Sequence, residues 1–470
     1  MTDKFTDMLR RKLTVSWDKD EGPLDLRNHS AGIGGIHSMA PPQPVINAMA
    51  ALKPRMIRIF LQEFFFIYPD HGVYDWTKLD AYMAAVHAMG GDIMATICIK
   101  PKVLYPELDP KIWMPNDVAE WQEVIRTLVL RYSKEKRYVT HWGISNEPNI
   151  GEFGGCPYQI ESPDDMFEYY KITAAPIREA LSDVPGIKVG GPHYAGARGG
   201  AEYLGRFVEL CKLNNVPLDF TCYNMYSNDP YEHQSDARGM RDSIDKHMPG
   251  LPFYMTEFNI GIGEELTVEE KAFDAKRAAC QAASILAFHE DGALDGTFQY
   301  HIYDQFNDPR EFAPFYTITR YMAEHWNDRP HRCGLTDLDG KLRPQYYLYQ
   351  LLYSLSGRRV ALAGTERIYH GIASSSEGTL SVFIANYGEK GTPDAVAQLR
   401  FEAAPAGVYR LNVYRIDKES AAEMKTAGID NPPQHLTPTE SRITYVHPDF
   451  RFDVYTPADS VMLVQLKPLA

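Results

Sequence analysis

Two glutamates stand where carboxylates could do chemistry. Glu147 closes the run YVTHWGISNE (138–147), and Glu257 closes PFYMTE (252–257). Each follows a stretch rich in aromatic and β-branched residues, the composition of a strand, and each is followed within a few residues by turn chemistry. Pro148 cannot donate to a ladder, so the first run must leave its sheet there. A single strand-end Glu is ordinarily a solvated charge; two at matching places are informative together. If both strands belong to one parallel barrel, their carboxyl ends share a rim and sequence distance ceases to matter. Two facing carboxyl groups about 5–5.5 Å apart would suit a retaining glycosidase, whereas about 6.5–9.5 Å would suit an inverting one. The sequence leaves that choice open.

The elements that must place these acids are legible as an alternation. From about residue 30 to 355, eight short strand-like runs (AGIGGIH, RMIRIF, DIMATICI, YVTHWGIS, IKVGG, LDFTCYN, PFYMT, GTFQYHI) alternate with helical stretches such as Trp76 to Met89, Ala119 to Tyr132, Met166 to Leu181, Tyr203 to Asn214 and Val268 to Glu290. That pattern predicts an α/β fold, a (β/α)8 TIM barrel, with Glu147 after the fourth strand and Glu257 after the seventh. An open dinucleotide-binding sheet would want G-x-G-x-x-G after the first strand, but Gly32-Ile33-Gly34-Gly35-Ile36-His37 puts His at the last required glycine. No P-loop, H-E-x-x-H or G-x-S-x-G occurs. From Gly357 the pattern changes to short alternating runs, which predict a C-terminal all-β sandwich over 357–470. The barrel is assigned to 30–356. Residues 1–29 form an N-terminal segment in which Lys12 to Trp17 could add an edge strand to the sandwich. The sandwich is expected to turn its inner face to the barrel, with Tyr409, Tyr414 and Tyr445 in its core and no chemistry of its own.

Composition narrows the partners. Across 470 residues, 48 Lys and Arg against 62 Asp and Glu give a formal charge of -14, which disfavours nucleic acid and anionic membranes. The 29 tyrosines within 12% aromatics suit a partner both apolar and hydroxylated. The start MTDKFTDMLRRKL resembles no leader, and no window approaches the ~20 apolar residues of a membrane span, so a cytoplasmic address is expected. Six cysteines without a C-x-x-C pair are read as reduced, buried thiols. His37, His193 and His301 fall on the predicted rim, but their spacing is not that of metal ligands; sugar hydroxyl contacts are expected, and neither metal nor other cofactor. Lys100 and Lys102 follow the third strand, where a cation could hold a uronate carboxylate. Homo-oligomerisation is left open.

S-N-E-P-N at 145–149 and T-E-F-N at 256–259 resemble the acid/base and nucleophile strand ends of the large clan of (β/α)8 retaining glycosidases. Y-D-W-T-K-L-D at 74–80, K-V-G-G-P at 188–192 and G-L-T-D-L-D-G-K-L-R-P-Q-Y-Y at 334–347 narrow the resemblance to glycoside hydrolase family 39, the β-xylosidase and α-L-iduronidase family. The resemblance implies that Glu147 is the general acid/base, Glu257 the nucleophile, Asn146 the amide holding the sugar 2-hydroxyl, Arg58 the partner of the nucleophile, and Tyr226 a tyrosine reaching it. The chain departs from the family at Asn224, where a His is usual, and at Ser145, where an aromatic is usual. It departs again at Tyr300-His301-Ile302-Tyr303-Asp304, which replaces W-T-F-S-D and puts His301 or Tyr303 where a Trp floor would lie. Asn224 remains among the residues expected to contact sugar. The expected activity is retaining, exo-acting hydrolysis of short oligosaccharides or small glycosides, with the segment 303–342 walling one end of the cleft. The alternatives are a non-catalytic carbohydrate-binding protein on the same barrel and a glycosidase acting on a uronic acid. A lyase or aldolase would want a phosphate grip after strand seven, and Glu264 and Glu265 beside Gly261-Ile262-Gly263 oppose one.

Overall fold

The first strand, β1 (Leu9–Pro23), carries Leu13, Val15 and Trp17 on one face, all buried. The computed structural model describes residues 9–35, 37–260, 275–328, 333–421 and 435–469. In it β1 lies inside a sheet rather than at its edge. It pairs antiparallel with β10 (Arg358–Ala363) and parallel with β13 (Ala395–Glu402), so both of its backbone edges are used.

Eight strands then build a closed barrel: β2 (His29–Gly32), β3 (Met56–Gln62), β4 (Asp92–Cys98), β5 (Val139–Ile144), β6 (Lys188–Ala195), β7 (Phe220–Tyr226), β8 (Phe253–Asn259) and β9 (Gly296–Tyr300). Neighbours pair in parallel, and β9 returns to β2 with Gly32 opposite Tyr300. This is the (β/α)8 architecture expected from the alternation. Three of the outer helices begin on side-chain caps: Asp117, Ser162 and Asp229 accept from the backbone N–H of Glu120, Asp165 and Tyr231, and proline opens the last two where its missing N–H costs nothing.

The helix Ala275–Asp291 is buried nearly all round, because it is wedged between the barrel and the C-terminal sheet. Its run of Ala, Ser and Cys keeps it thin enough to fit; the first part of the expected helix, 268–274, lies outside the described residues.

The C-terminal sheet has nine strands in the order β15-β14-β17-β12-β11-β10-β1-β13-β16, with β11 (Tyr369–Ser376), β12 (Thr379–Asn386), β14 (Gly407–Ile416), β15 (Glu440–Val446), β16 (Asp449–Thr456) and β17 (Ser460–Pro468). It curls so that Phe450 and Phe452 of β16 share one core with Leu411 of β14 and Val464 of β17. The face turned to the barrel is the opposite one. Ile372, Phe383 and Leu463 join the barrel's own core, while their neighbours Val382 and Val464 close the sandwich, an alternation that follows from the two-residue period of a strand. Tyr409 is core, but Tyr445 is 63% exposed on β15, the end strand of the sheet. All six cysteines are free and buried, and among the described residues no helix is long and apolar enough to cross a membrane.

Candidate active site

Glu147 is aimed by its backbone. Beyond the end of β5 the chain keeps one more bridge to β6, Asn146 opposite His193, and the Glu147 N–H donates to the His193 carbonyl at 2.6 Å. Ser145 and Glu147 both sit at positive φ, 68° and 46°. Left-handed backbone in non-glycine residues costs on the order of 1–3 kcal/mol each and is held only where the surroundings demand it. Glu257 is aimed differently. The ladder slips on both sides of it, between Tyr223 and Asn224 toward β7 and between Met255 and Phe258 toward β8's other neighbour. Such irregularities turn a side chain off the regular alternation.

Both acids line a cavity of about 590 Å³ at the mouth of the barrel. They are held in different ways. Glu257 is gripped on each oxygen, Oε1 by the Arg58 Nη1 at 2.8 Å and Oε2 by the Tyr226 hydroxyl at 2.6 Å. Among the described residues Glu147 forms no ion pair; its Oε1 accepts from the Asn224 amide at 3.0 Å. Burial pushes the Glu147 carboxyl well above the usual carboxylate range, and the negative charge of Glu257 pushes in the same direction. One carboxyl thus tends to keep its proton beside another that is ion-paired, which is the division of labour an acid and a nucleophile need.

Arg58 is fully buried and ties the floor together. Besides Glu257 it donates to the Thr256 carbonyl at 3.2 Å, to Thr96 Oγ1 at 3.2 Å and to Asn146 Oδ1. Asn146 is also fully buried and does not line the cavity: its Nδ2 donates to the Gly154 carbonyl at 2.8 Å, and its Oδ1 receives Arg58 and Asn224. Asn224 does line it, with its own Oδ1 accepting from Thr256 at 2.8 Å.

The three rim histidines lie behind this surface. His193 packs under Arg58, its Nδ1 2.8 Å from Thr256 Oγ1, and burial together with the guanidinium holds it well below the usual imidazole range, hence neutral. His301 is buried with Nδ1 3.0 Å from the Tyr303 carbonyl, and burial lowers it to about 4. His37 meets the edge of the Tyr303 ring at 6.2 Å, and burial lowers it as well. None of the three is among the lining residues, because strand-end position says nothing about which way a side chain turns. Lys100 also points away: its Nζ donates to the carbonyls of Asp109 at 2.6 Å and Pro157 at 3.3 Å, while Lys102 lies over the Phe315 ring at 5.6 Å, and neither lysine lines the cavity. Among the described residues no cluster of three His, Cys, Asp or Glu could hold a metal. Gly261 to Glu265 lie outside the described residues.

Several lining residues were not singled out from the sequence. Trp326, from the turn Glu324–Asp328, lines the cavity and packs on Tyr300 at 6.0 Å and His301 at 5.4 Å. An indole therefore reaches the place where the strand itself supplies none. Asp304 pairs with Arg343, which ties the last strand's exit to the G-L-T-D-L-D-G-K-L-R-P run. Gln62 lines the cavity beside Phe60, and its Nε2 donates to the Gly155 carbonyl. A Cβ at Gly35 would overlap the Gln62 amide, so the glycines after β2 serve close approach rather than nucleotide binding. The same holds at Gly154, where a Cβ would overlap the Glu147 side chain. Gly154→Ala is expected to displace that carboxyl and lower kcat by roughly 10–100-fold, as misplacement of a catalytic group does, while circular dichroism stays native.

Known proteins resemble this chain in sequence and in fold. The family model described as glycosyl hydrolases family 39 matches residues 69–387. The chain is similar to a β-xylosidase of Geobacillus stearothermophilus, 24% identical over 184 residues, 34% of this chain and 35% of that enzyme. It is also similar to a β-xylosidase of Caldicellulosiruptor saccharolyticus, 23% identical over 266 residues, 53% of this chain and 49% of that enzyme. The matches thus span less than half the length of these curated relatives. Among solved structures, a monomeric β-xylosidase from Caulobacter crescentus CB15 superposes with a TM-score of 0.75 at 19% identity, covering 98% of this chain and 100% of that one, a likeness of fold.

Proposed function

The chain belongs to glycosyl hydrolases family 39, and from that premise we propose that it is a retaining, exo-acting glycoside hydrolase of β-xylosidase type. The observation that carries the reading is the pair of acids in one cavity, one ion-paired and one pushed toward its protonated form. In the first step Glu257 attacks the anomeric carbon while Glu147 gives its proton to the departing oxygen, leaving a glycosyl ester on Glu257. In the second, Glu147 takes a proton from water, and that water displaces the ester and restores the configuration. Arg58 and Tyr226 hold the attacking carboxylate in place, and Trp326 offers an aromatic face to the sugar. Exo action agrees with Met322, His325 and Trp326 of the 303–342 segment lining the cavity, whose volume of about 590 Å³ falls within the ~300–1,000 Å³ of small-ligand sites.

The pH profile tests the assignment of the acid. Because burial raises Glu147, its proton is present below the raised value and lost as pH climbs through it, so kcat/KM should fall on an alkaline limb well above the ordinary carboxylate range. Glu147→Gln should erase that limb for nitrophenyl glycosides, whose leaving group needs no proton, and should abolish turnover of alkyl glycosides. An alkaline limb that persists in the variant would assign it to another group and remove Glu147 from the role.

A further inference from the structure

The cavity is chemically lopsided. Tyr226 and Glu232 bring polar groups to it, while the amides of Gln62 and Asn224 are already engaged, donating to the Gly155 carbonyl and to Glu147 Oε1. The lining on the turn that follows Glu147 is different. Ile150 and Phe153, on the turn that follows the acid, line the cavity and are 37% and 63% exposed. Ala195 at the end of β6, with Gly196 and Ala197 beyond it, also lines the cavity, and Met322 lines it from the helix Thr319–Ala323. The Phe153 ring is braced edge-on by Tyr321 at 5.3 Å and 75°, and Tyr321 is in turn stacked on His325 at 5.3 Å and 19°. Exposed aromatic surface held rigid at the edge of a catalytic cavity is surface awaiting cover.

Its position says what covers it. The acid must touch the oxygen that departs, so whatever flanks Glu147 flanks the leaving group. A sugar bound there would bring several hydroxyls out of water, and each needs a partner to avoid a desolvation penalty. Along this wall, beyond the already engaged amides of Gln62 and Asn224, Arg198 and His325 are the lining side chains among the described residues that could serve. A flat or extended apolar group, by contrast, gains by covering Phe153 and Ile150. We propose that the leaving group is an apolar aglycone, the alcohol or phenol part of an alkyl or aryl glycoside, rather than a second sugar. This inference rests on the hydrolase reading above and names the substrate class of that site.

Straight-chain alkyl xylosides test it, because their leaving groups share one acidity and differ in apolar length alone. From methyl to hexyl xyloside, kcat/KM of the wild-type chain should rise at least roughly tenfold, a fraction of what full burial of the added methylenes would give, and hexyl xyloside should surpass xylobiose. Phe153→Ser should flatten the rise; its exposed position makes the fold tolerant of the change. Binding of the same series to Glu257→Gln, followed by calorimetry, should strengthen in parallel. Hydrolysis that proceeds without dependence on chain length, or that favours xylobiose, overturns the apolar subsite and leaves the hydrolase reading standing. Binding that strengthens with chain length while no glycoside is ever cleaved supports the subsite and overturns the hydrolase reading instead.

Discussion

Glu257→Ala should lower kcat by roughly 10⁴-fold or more, the scale on which removal of a covalent nucleophile is felt, and added azide should restore turnover with a glycosyl azide of inverted configuration. Alanine leaves a space below the anomeric carbon that a small anion can enter, on the face from which the carboxylate would have attacked. The site is built for that replacement: Arg58 and Tyr226, which grip the two oxygens of Glu257 at 2.8 and 2.6 Å, remain to receive a negative charge. Glu147→Ala should differ in the stereochemistry. There azide attacks the intermediate from the opposite face, and the azide product keeps the substrate's configuration. Chromatography and proton magnetic resonance of the products separate the two outcomes. Identical azide configurations from both variants would dismantle the double displacement, and full activity in Glu257→Ala would dismiss the residue.

Arg58→Met should be the most damaging change outside the acids, in stability as well as rate. The guanidinium is fully buried and donates to Glu257, the Thr256 carbonyl, Thr96 and Asn146, while its flat face lies 3.8 Å over the Phe60 ring. Removing it leaves a buried carboxylate without its counter-charge, a loss of about 3–5 kcal/mol. A lowered unfolding midpoint together with a fall in kcat of roughly 10²–10³-fold, the scale of one lost electrostatic contact, is the expected pair of results. Arg58→Lys should restore part of the midpoint but little of the rate, because an ammonium cannot span Glu257 and Asn146 at once. A variant with normal melting and lost activity would mean that Arg58 acts on the reaction without supporting the fold.

The acids and their strands were legible because local pattern decides them: a β-branched or aromatic run, a strand-end carboxylate, and Pro148 to stop the ladder. What surrounds them was less so. Trp326 reaches the cavity from a turn in the long excursion after β9, and no periodicity announces where such a turn comes to rest. His193 and His301 were placed correctly along their strands but not around them, since the bridge of Asn146 to His193 and the packing of Trp326 on His301 are decided by tertiary neighbours. Lys100 carried the right charge and the wrong direction; two carbonyls claim it. The interior place of β1 was hidden for a further reason. Val15 lies between Leu362 and Phe401, and the pairing of strands so far apart along the chain leaves no mark in either segment.

That pairing sets a timetable. A ribosome adds roughly 5–20 residues per second, so β1 emerges and then waits tens of seconds for β10 and β13 to exist, while the whole barrel can close in the interval. During that wait its Leu13, Val15 and Trp17 face water, a short apolar segment with both backbone edges open. The C-terminal sheet therefore depends on a strand made long before its neighbours, a clasp fastened only once β10 and β13 exist.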